Sequence, residues 1–264
     1  MNDALHHDLA HFAAHPRVLV ALDFDGTLAE LADDPQSVFV LPHSARALAD
    51  LAADDGVHLA LVSGRPAAEL ERLAAPPAGT ILIGSHGSEI ATVDAEGTLH
   101  AADLGLTEEE RTLLTDLIAT LEDIAGGAPG AWVEVKPVAA VLHTRLSTRA
   151  DAEVVIERAL AGPARWQGVH AMKGKDVVEF SVRTLTKGDA LGELRDRTST
   201  GDGAVHVLFA GDDVTDEHGF AMLGDGDVGI KVGSGDTRAA HRVADPEEFG
   251  RVLEVLVALR QSPA

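Results

Sequence analysis

The chain has 264 residues, enough for one large domain or two smaller ones, and 45% of them are hydrophobic, a proportion typical of globular proteins. Its formal net charge of −22 argues against binding to nucleic acid or to an anionic membrane surface, because both favour an excess of lysine and arginine. Without cysteine there are no disulfides and no thiolate catalysis, and without a signal sequence or a long apolar run we expect a cytoplasmic protein.

The first predicted strand is followed directly by two acids. Residues 18–22 form an unbroken apolar run, the pattern of a strand buried on both faces of a parallel sheet, and Asp23, Asp25, Gly26 and Thr27 follow it. Ligands of open α/β sheets bind beyond the carboxyl ends of the strands, and strand alternation turns both acids the same way. The pattern predicts a chemical site, although Asp and Gly are also ordinary turn residues.

Two further predicted strands end in a similar manner. The apolar run 57–62 stops at Ser63 and Gly64, which can bind an anion through a hydroxyl and a backbone N–H or can simply form a strand-to-helix turn. The run 80–83 is followed by a glycine-rich segment that contains His86. Predicted helices separate these strands, so the order is the β-α-β-α-β pattern of a doubly wound parallel sheet.

The pattern changes in the middle of the chain. A long helix predicted from Thr107 begins with a capping box that Glu110 closes, and two strand pairs with partial alternation and a second helix follow. This αββαββ order has antiparallel character. We therefore predict a smaller α+β domain, residues 102–183, inserted into a core formed by residues 1–101 and 184–264. The insert has nine basic and thirteen acidic residues, so it is far less acidic than the core and better suited to meet an anion.

The core pattern resumes with Lys187 at the start of a predicted helix. The next apolar run, 205–210, ends in an acid-rich segment that contains Asp212, Asp213 and Asp216. Because the carboxyl ends of parallel strands meet at one edge of a sheet, we expect these acids, the lysine and the earlier carboxylate pair to converge. Carboxylate oxygens are the ligands that Mg²⁺ prefers, so the sequence predicts a magnesium site at this edge.

The order and spelling of these motifs resemble the haloacid dehalogenase-like (HAD) phosphatases, from Asp23-Phe24-Asp25-Gly26-Thr27 through Ser63 and Lys187 to Gly211-Asp212-Asp213. Within that superfamily the chain is most similar to the trehalose-6-phosphate phosphatase family. The segments that carry this likeness lie in the core and the insert alike, at residues 61–65, 84–87, 132–137, 143–145, 174–179 and 211–217. One departure is Val135, which stands where we expect an acid in the family's segment.

The resemblance implies a Rossmann-like core with an inserted cap domain, and Mg²⁺-dependent hydrolysis of trehalose 6-phosphate. In that mechanism Asp23 is the nucleophile, which forms an aspartyl phosphate, and Asp25 is the general acid and base. The other implied roles are Mg²⁺ ligation by Asp23, Asp25 and Asp212, support of the ion by Asp213 and Asp216, phosphate binding by Gly26, Thr27, Ser63, Gly64 and Lys187, and sugar recognition by His86, Lys136, His143, Arg145, Lys175 and Glu179.

Alternatives stay open at this point. A related phosphatase for sucrose phosphate or mannosylphosphoglycerate would share the core, and a non-catalytic sugar-phosphate-binding regulator would share the fold but would not need the proton donor Asp25. The basic residues assigned to the cap are also consistent with ordinary surface charges. The expected partner is a small sugar phosphate rather than a nucleic acid or a membrane, and a functional link to a separate trehalose-6-phosphate synthase is open.

Overall fold

The structure is a computed structural model that describes residues 1–183, 185–199 and 205–262. Its strands, in chain order, are β1 (Val18–Asp23), β2 (Val57–Val62), β3 (Ile81–Gly84), β4 (Glu89–Val93), β5 (Leu99–Ala101), β6 (Trp132–Lys136), β7 (Ala139–His143), β8 (His170–Lys173), β9 (Val177–Ser181), β10 (His206–Gly211), β11 (Val228–Val232) and β12 (His241–Val243). Its helices are α1 (Asp3–Ala13), α2 (Pro42–Ala52), α3 (Ala67–Ala74), α4 (Glu108–Gly126), α5 (Arg149–Ala161), α6 (Lys187–Thr198), α7 (Glu217–Phe220) and α8 (Pro246–Gln261).

The chain divides into two compact units. The first comprises Met1–Ala102 together with Leu185–Ala264, and the second is Asp103–Thr184. Residue 184, at which the second core segment was predicted to begin, lies outside the described residues. None of the described helices combines the length and the apolar composition that crossing a bilayer requires.

The first unit is built on an eight-stranded sheet with the order β12-β11-β10-β1-β2-β3-β4-β5. The strands from β12 to β3 are parallel, and β4 and β5 extend the sheet in antiparallel fashion. On one face, Val18, Val20 and Leu22 of β1 share a core with helices α1, α2, α3 and α8. On the other, α6 contacts β1, and Phe209 of β10 packs against Phe220 of α7. Both faces are covered, which is why β1 is apolar throughout its length until its last residue.

Strand order reverses between β1 and β10. The chain proceeds from β1 to β2 and β3 on one side, whereas β10 leads to β11 and β12 on the other. The connections therefore diverge at this point and leave a crevice at the carboxyl ends of the two strands, the usual ligand position in open α/β sheets. Asp23 is the last residue of β1, and Asp212 follows the last residue of β10.

The second unit is an antiparallel sheet of four strands with the order β6-β7-β9-β8. Helices α4 and α5 cover one of its faces, where Leu121, Leu142 and Phe180 belong to one apolar core. Helix α4 begins with the predicted capping box between Thr107 and Glu110. The predicted fold class, a doubly wound α/β core with an inserted α+β domain, is confirmed.

Candidate active site

A cavity of about 550 Å³ lies at the carboxyl ends of β1, β2 and β10, in the crevice described above. The predicted site residues that line it are Asp23, Asp25, Ser63, Gly64, His86, Lys187, Asp212 and Asp213. Arg65 and Thr215 line it as well, and the exposed Leu31 stands beside it with Pro35. All of these residues belong to the first unit.

A buried ammonium group joins two of the acids. The Nζ atom of Lys187 donates a hydrogen bond to Asp23 Oδ1 at 2.6 Å and another to Asp216 Oδ1 at 2.7 Å. Lys187 reaches them because it is the first residue of α6, whose N-cap, Thr186, forms a capping box with Asp189. All three charged side chains are at most 5% exposed, so water screens their interactions far less than it would at the surface.

The electrostatics of this cluster favour bound cations. Burial disfavours the charged form of Lys187, but the carboxylates of Asp23 and Asp216 outweigh that effect and raise its pKa. Burial raises the pKa of Asp23, and the Lys187 ammonium acts in the opposite direction. Burial, followed by repulsion from Asp216 and Asp213, raises the pKa of Asp212 to about 6. The ammonium groups of Lys187 and Lys231 both oppose the rise in the pKa of Asp212, but two such groups still leave the cluster of four acids with unbalanced negative charge.

Three of the acids fit a divalent cation. Asp23, Asp212 and Asp216 each offer a carboxylate oxygen, and these oxygens all lie within 4.8 Å of one another. The second oxygen of Asp23, Oδ2, is buried with no hydrogen-bond partner among the described residues. A hard, all-oxygen donor set with such an orphaned atom is suited to Mg²⁺.

Asp25 lies in a different environment from Asp23. Arg65 binds both of its carboxylate oxygens, through Nε to Oδ2 and through Nη2 to Oδ1, each at 2.7 Å. The third guanidinium nitrogen, Nη1, donates to Glu69 at 2.5 Å. Hydrogen bonds to Asp25 are the main reason that the pKa of Arg65 is raised. The Asp25 carboxylate is therefore held at the side of the cavity and does not belong to the group of three acids.

A strained turn presents His86 to the cavity. Ser85 and His86 both have positive φ angles, 48° and 58°, which residues other than glycine rarely adopt. The His86 ring lies against the backbone of Gly64, where an added Cβ would come within 2.5 Å of it. Ser63 is 1% exposed, and its Oγ accepts a hydrogen bond from the backbone N–H of Arg65 at 3.1 Å.

Three predicted residues of the first unit do not line this cavity. Gly26 abuts the Asp212 side chain and lines a neighbouring cavity of about 360 Å³. Thr27 is fully buried, and its hydroxyl has no hydrogen-bond partner among the described residues. Asp216 is completely buried, and its Oδ1 atom accepts from Lys187. Asp213, by contrast, is exposed and accepts the backbone N–H of Val214.

The remaining predicted residues belong to the second unit. Strand alternation places Lys136, His143 and Glu179 on the sheet face opposite the helices, because Leu142 and Phe180 face the apolar core. On this face, Lys136 Nζ lies 3.1 Å from Glu179 Oε2, and His143 Nε2 lies 2.8 Å from Glu134 Oε2.

The Trp132 indole connects this face to a further predicted residue. The Trp132 and His143 rings stack with their centroids 4.6 Å apart, and Arg145 Cζ lies 5.6 Å from the centroid of the Trp132 ring. Lys175 is exposed in the turn between β8 and β9.

Arg65 and Glu134 were not predicted from the sequence as site residues, although both lie in segments that carry the family resemblance, residues 61–65 and 132–137. A basic residue directly after the Ser63-Gly64 strand end was the available signal for Arg65, because such a side chain can reach an acid at the neighbouring strand end. For Glu134, the signal was its cross-strand position near His143.

Comparisons with known proteins agree with these observations. Residues 21–247 match the family model described as Trehalose-phosphatase. The chain is 34% identical over 242 residues to the trehalose-6-phosphate phosphatase of Escherichia coli (strain K12), covering 90% of this chain and 86% of that protein. It is 32% identical over 219 residues to the trehalose-phosphate phosphatase of Mycobacterium marinum, but spans only 54% of that longer protein.

A solved structure with the same fold is that of Aspergillus fumigatus trehalose-6-phosphate phosphatase in crystal form 3. It matches with a TM-score of 0.64 at 22% sequence identity, over 96% of this chain and 97% of the other. At this identity the likeness supports the fold, and the assignment of the family rests on the sequence matches.

Proposed function

This chain belongs to the trehalose-phosphatase family, and from that membership we propose that it hydrolyses trehalose 6-phosphate to trehalose and inorganic phosphate. The observation that carries the proposal is the buried contact of Lys187 with Asp23 and Asp216 at the β1–β10 crevice, with Asp212 beside them. This arrangement combines a carboxylate nucleophile with the positive charge that an anionic phosphoryl group needs. A trehalose-6-phosphate synthase would supply the substrate.

In the proposed first step, an oxygen of Asp23 attacks phosphorus and forms an aspartyl phosphate. The bond between phosphorus and the sugar oxygen breaks, and the sugar oxygen takes a proton from Asp25 as trehalose leaves. Water then gives a proton back to Asp25 and attacks the phosphorus of the intermediate. The bond to the Asp23 oxygen breaks, which releases inorganic phosphate and restores both carboxyl groups to their starting state.

Lys187 and Ser63 are proposed to bind phosphoryl oxygens. Two unit charges 4 Å apart interact by about 4 kcal/mol at the dielectric typical of a protein surface, so repulsion between the nucleophile and the phosphate is a large part of the barrier. The Lys187 ammonium already contacts Asp23 at 2.6 Å, so it is available to offset that repulsion. The hydroxyl of Ser63 and the backbone amides near Gly26 and Gly64 would add preorganised donors.

Mg²⁺ is the proposed cofactor. The carboxylates of Asp23 and Asp212 and the backbone carbonyl of Asp25 would hold it, with Asp216 close by and Asp213 at the rim. When bound, the ion would neutralise negative charge on the phosphoryl group. Two observations support this assignment: the proximity of three carboxylate oxygens, and the Oδ2 atom of Asp23, which has no hydrogen-bond partner within the described part of the chain.

The second unit is proposed to act as the cap that reads the sugar. Its polar sheet face carries Lys136, His143 and Glu179, and Arg145, Lys175 and, from the first unit, His86 complete the set of proposed sugar contacts. The polar groups on this face support the proposal, because hydrogen bonds from such groups to sugar hydroxyls let a site reject analogues that lack those hydroxyls.

A phosphate-release panel tests the substrate. We expect trehalose 6-phosphate to be preferred over sucrose phosphate and mannosylphosphoglycerate, and a preference for either of these would instead favour the related sugar-phosphate phosphatase. Asp23→Asn should lower turnover by about 10⁴-fold or more, as removal of a nucleophile does. Asp50→Asn, the same change at an exposed position of α2, is the matched control. If Asp23→Asn retained normal turnover, covalent catalysis by Asp23 would be excluded, and a wild-type protein inactive on the whole panel would favour the binding regulator.

A further inference from the structure

Arg65 has the contacts of a residue that orients another. Two sides of its guanidinium group are occupied by acids, Asp25 on the Nε–Nη2 edge and Glu69 on Nη1. Its Cζ atom lies 5.7 Å from the centroid of the Phe24 ring, and the side chain is only 13% exposed. A guanidinium group held in this way has little rotational freedom, so the carboxylate that it binds is held as well.

Glu69, the second acid that Arg65 binds, is itself anchored by a hydrogen bond. Glu69 lies one helical turn after Arg65, near the start of α3, and its Oε1 atom also accepts a hydrogen bond from Gln36 at 3.0 Å. Gln36 in turn accepts a hydrogen bond from Arg72 on the same helix. Arg65 is thus fixed to α3 and to the loop before α2, independently of its contact with Asp25.

The pairing leaves Asp25 able to react. A carboxylate has about four lone-pair sites, and the bidentate contact with Arg65 uses two of them, one on each oxygen. A remaining site on either oxygen can serve a leaving-group oxygen or a water molecule. The contact therefore fixes the plane of the carboxyl group without occupying all of it.

From this geometry we infer that Arg65, held by Glu69, is a positioning residue that orients the Asp25 carboxyl group toward the leaving group. The inference rests on the proposed function, in which Asp25 protonates the sugar oxygen. Arg65 itself is not proposed to contact the phosphate, because three of its five N–H donors already point to acids, two to Asp25 and one to Glu69. Its effect should therefore appear in the chemical steps that need Asp25 and not in substrate binding.

The test compares two substrates that differ in their need for a proton donor. A sugar phosphate releases a poor leaving group that must be protonated, whereas p-nitrophenyl phosphate releases a stable phenolate that needs little help. Arg65→Lys keeps the charge but loses the planar fork. We expect it to lower kcat for the sugar phosphate by about 10²-fold, with KM changed by less than about threefold, because misplacing a reacting group by about 1 Å has an effect of this size.

For p-nitrophenyl phosphate, the same variant should lose less than about threefold in the rate of the first step, formation of the aspartyl phosphate, measured as the initial burst of p-nitrophenolate. The later hydrolysis of the intermediate needs Asp25 with either substrate, so the first step is the one compared. Glu69→Gln should reproduce the substrate-dependent pattern with a smaller loss, and it serves as the second variant if Arg65→Lys fails to fold by circular dichroism. Arg46→Lys, the same change at an exposed position of α2, is the matched control and should resemble the wild type on both substrates.

Equal losses on the two substrates in the single-turnover rate of aspartyl-phosphate formation, or a rise in KM with kcat unchanged, would overturn the assignment and make Arg65 a structural or phosphate-binding residue. The comparison uses whichever sugar phosphate of the panel is turned over. An error in the proposed substrate would therefore be detected by the panel and would leave the test of Arg65 intact.

Discussion

Replacing Gly26 by alanine should separate the stability of the fold from the integrity of the metal site. Gly26 has a φ of +76°, and the three atoms nearest to an added Cβ all belong to the Asp212 side chain, the closest being Oδ2 at 2.1 Å. An ordinary contact is at least 3.4 Å, so this carboxylate would have to move by about 1.3 Å. It can do so by rotating, because it is the end of a flexible side chain.

The magnitudes follow from a comparison with Gly97. Gly97 has nearly the same φ, +79°, but nothing lies within 4 Å of an added Cβ. Each alanine variant should lose about 1–2 kcal/mol of unfolding free energy from the left-handed backbone alone. Only Gly26→Ala displaces Asp212, and we expect it to weaken Mg²⁺ binding by about tenfold or more, as loss of a supporting group at a metal site does.

Two measurements check this prediction. Denaturant unfolding without metal gives the stability of each variant, and calorimetric titration with Mg²⁺ gives the affinity. Similar stabilities with unequal affinities are the expected result. If Gly26→Ala bound Mg²⁺ as tightly as Gly97→Ala does, then Asp212 would not be a ligand and the metal site would have to be sought elsewhere.

Two further predictions concern stability. Alanine normally stabilises a helix relative to glycine. Gly126 is the last residue of α4 and has open space around it, so Gly126→Ala should add up to about 0.5 kcal/mol, whereas Gly250→Ala inside α8 should remove about 2 kcal/mol because its Cβ would lie 1.8 Å from His43 Nε2. Denaturant unfolding should give opposite signs for the two variants, and two changes of equal sign would contradict the packing of α8 on α2. Hydrogen bonds from Arg183 and then from a backbone N–H lower the pKa of Glu110 from 4.5 to about 2, so its stabilising contribution is complete above pH 4.5 and is lost as the pH falls toward 2. The stability difference between wild type and Glu110→Gln should therefore shrink by about 1 kcal/mol between pH 6 and pH 3, and unchanged differences in unfolding free energy across this range would contradict the prediction.

The sequence was sufficient for the architecture because the relevant signals are local. An apolar run such as 18–22 that alternates with amphipathic helices indicates a strand covered on both faces, and the capping box at Thr107 indicates a helix start. The three-residue strands β5 and β12 are harder to predict, since so few residues hardly define an alternation. Their pairing is decided by the neighbouring strand to which they bind.

The sequence also indicated which strand ends carry polar groups, because the carboxyl ends of all parallel strands in a sheet lie along one edge. It could not indicate which charged groups pair. Asp213 and Asp216 stand in the same short segment, yet one is exposed and the other is fully buried against Lys187. That difference depends on the turn that follows β10 and on the position of α6, which approaches from a distant part of the chain.

Amino-acid sequence alone therefore determined the class of fold and the edge of the sheet at which the acids gather, since both depend on periodicity and on rules common to all parallel sheets. Tertiary structure alone decided that Asp25 pairs with Arg65 while Asp23 pairs with Lys187, and that Ser85 and His86 adopt positive φ angles. The physical reason is that side-chain orientation and local backbone strain are set by contacts between residues far apart in the chain, for which spacing along the sequence carries no signal.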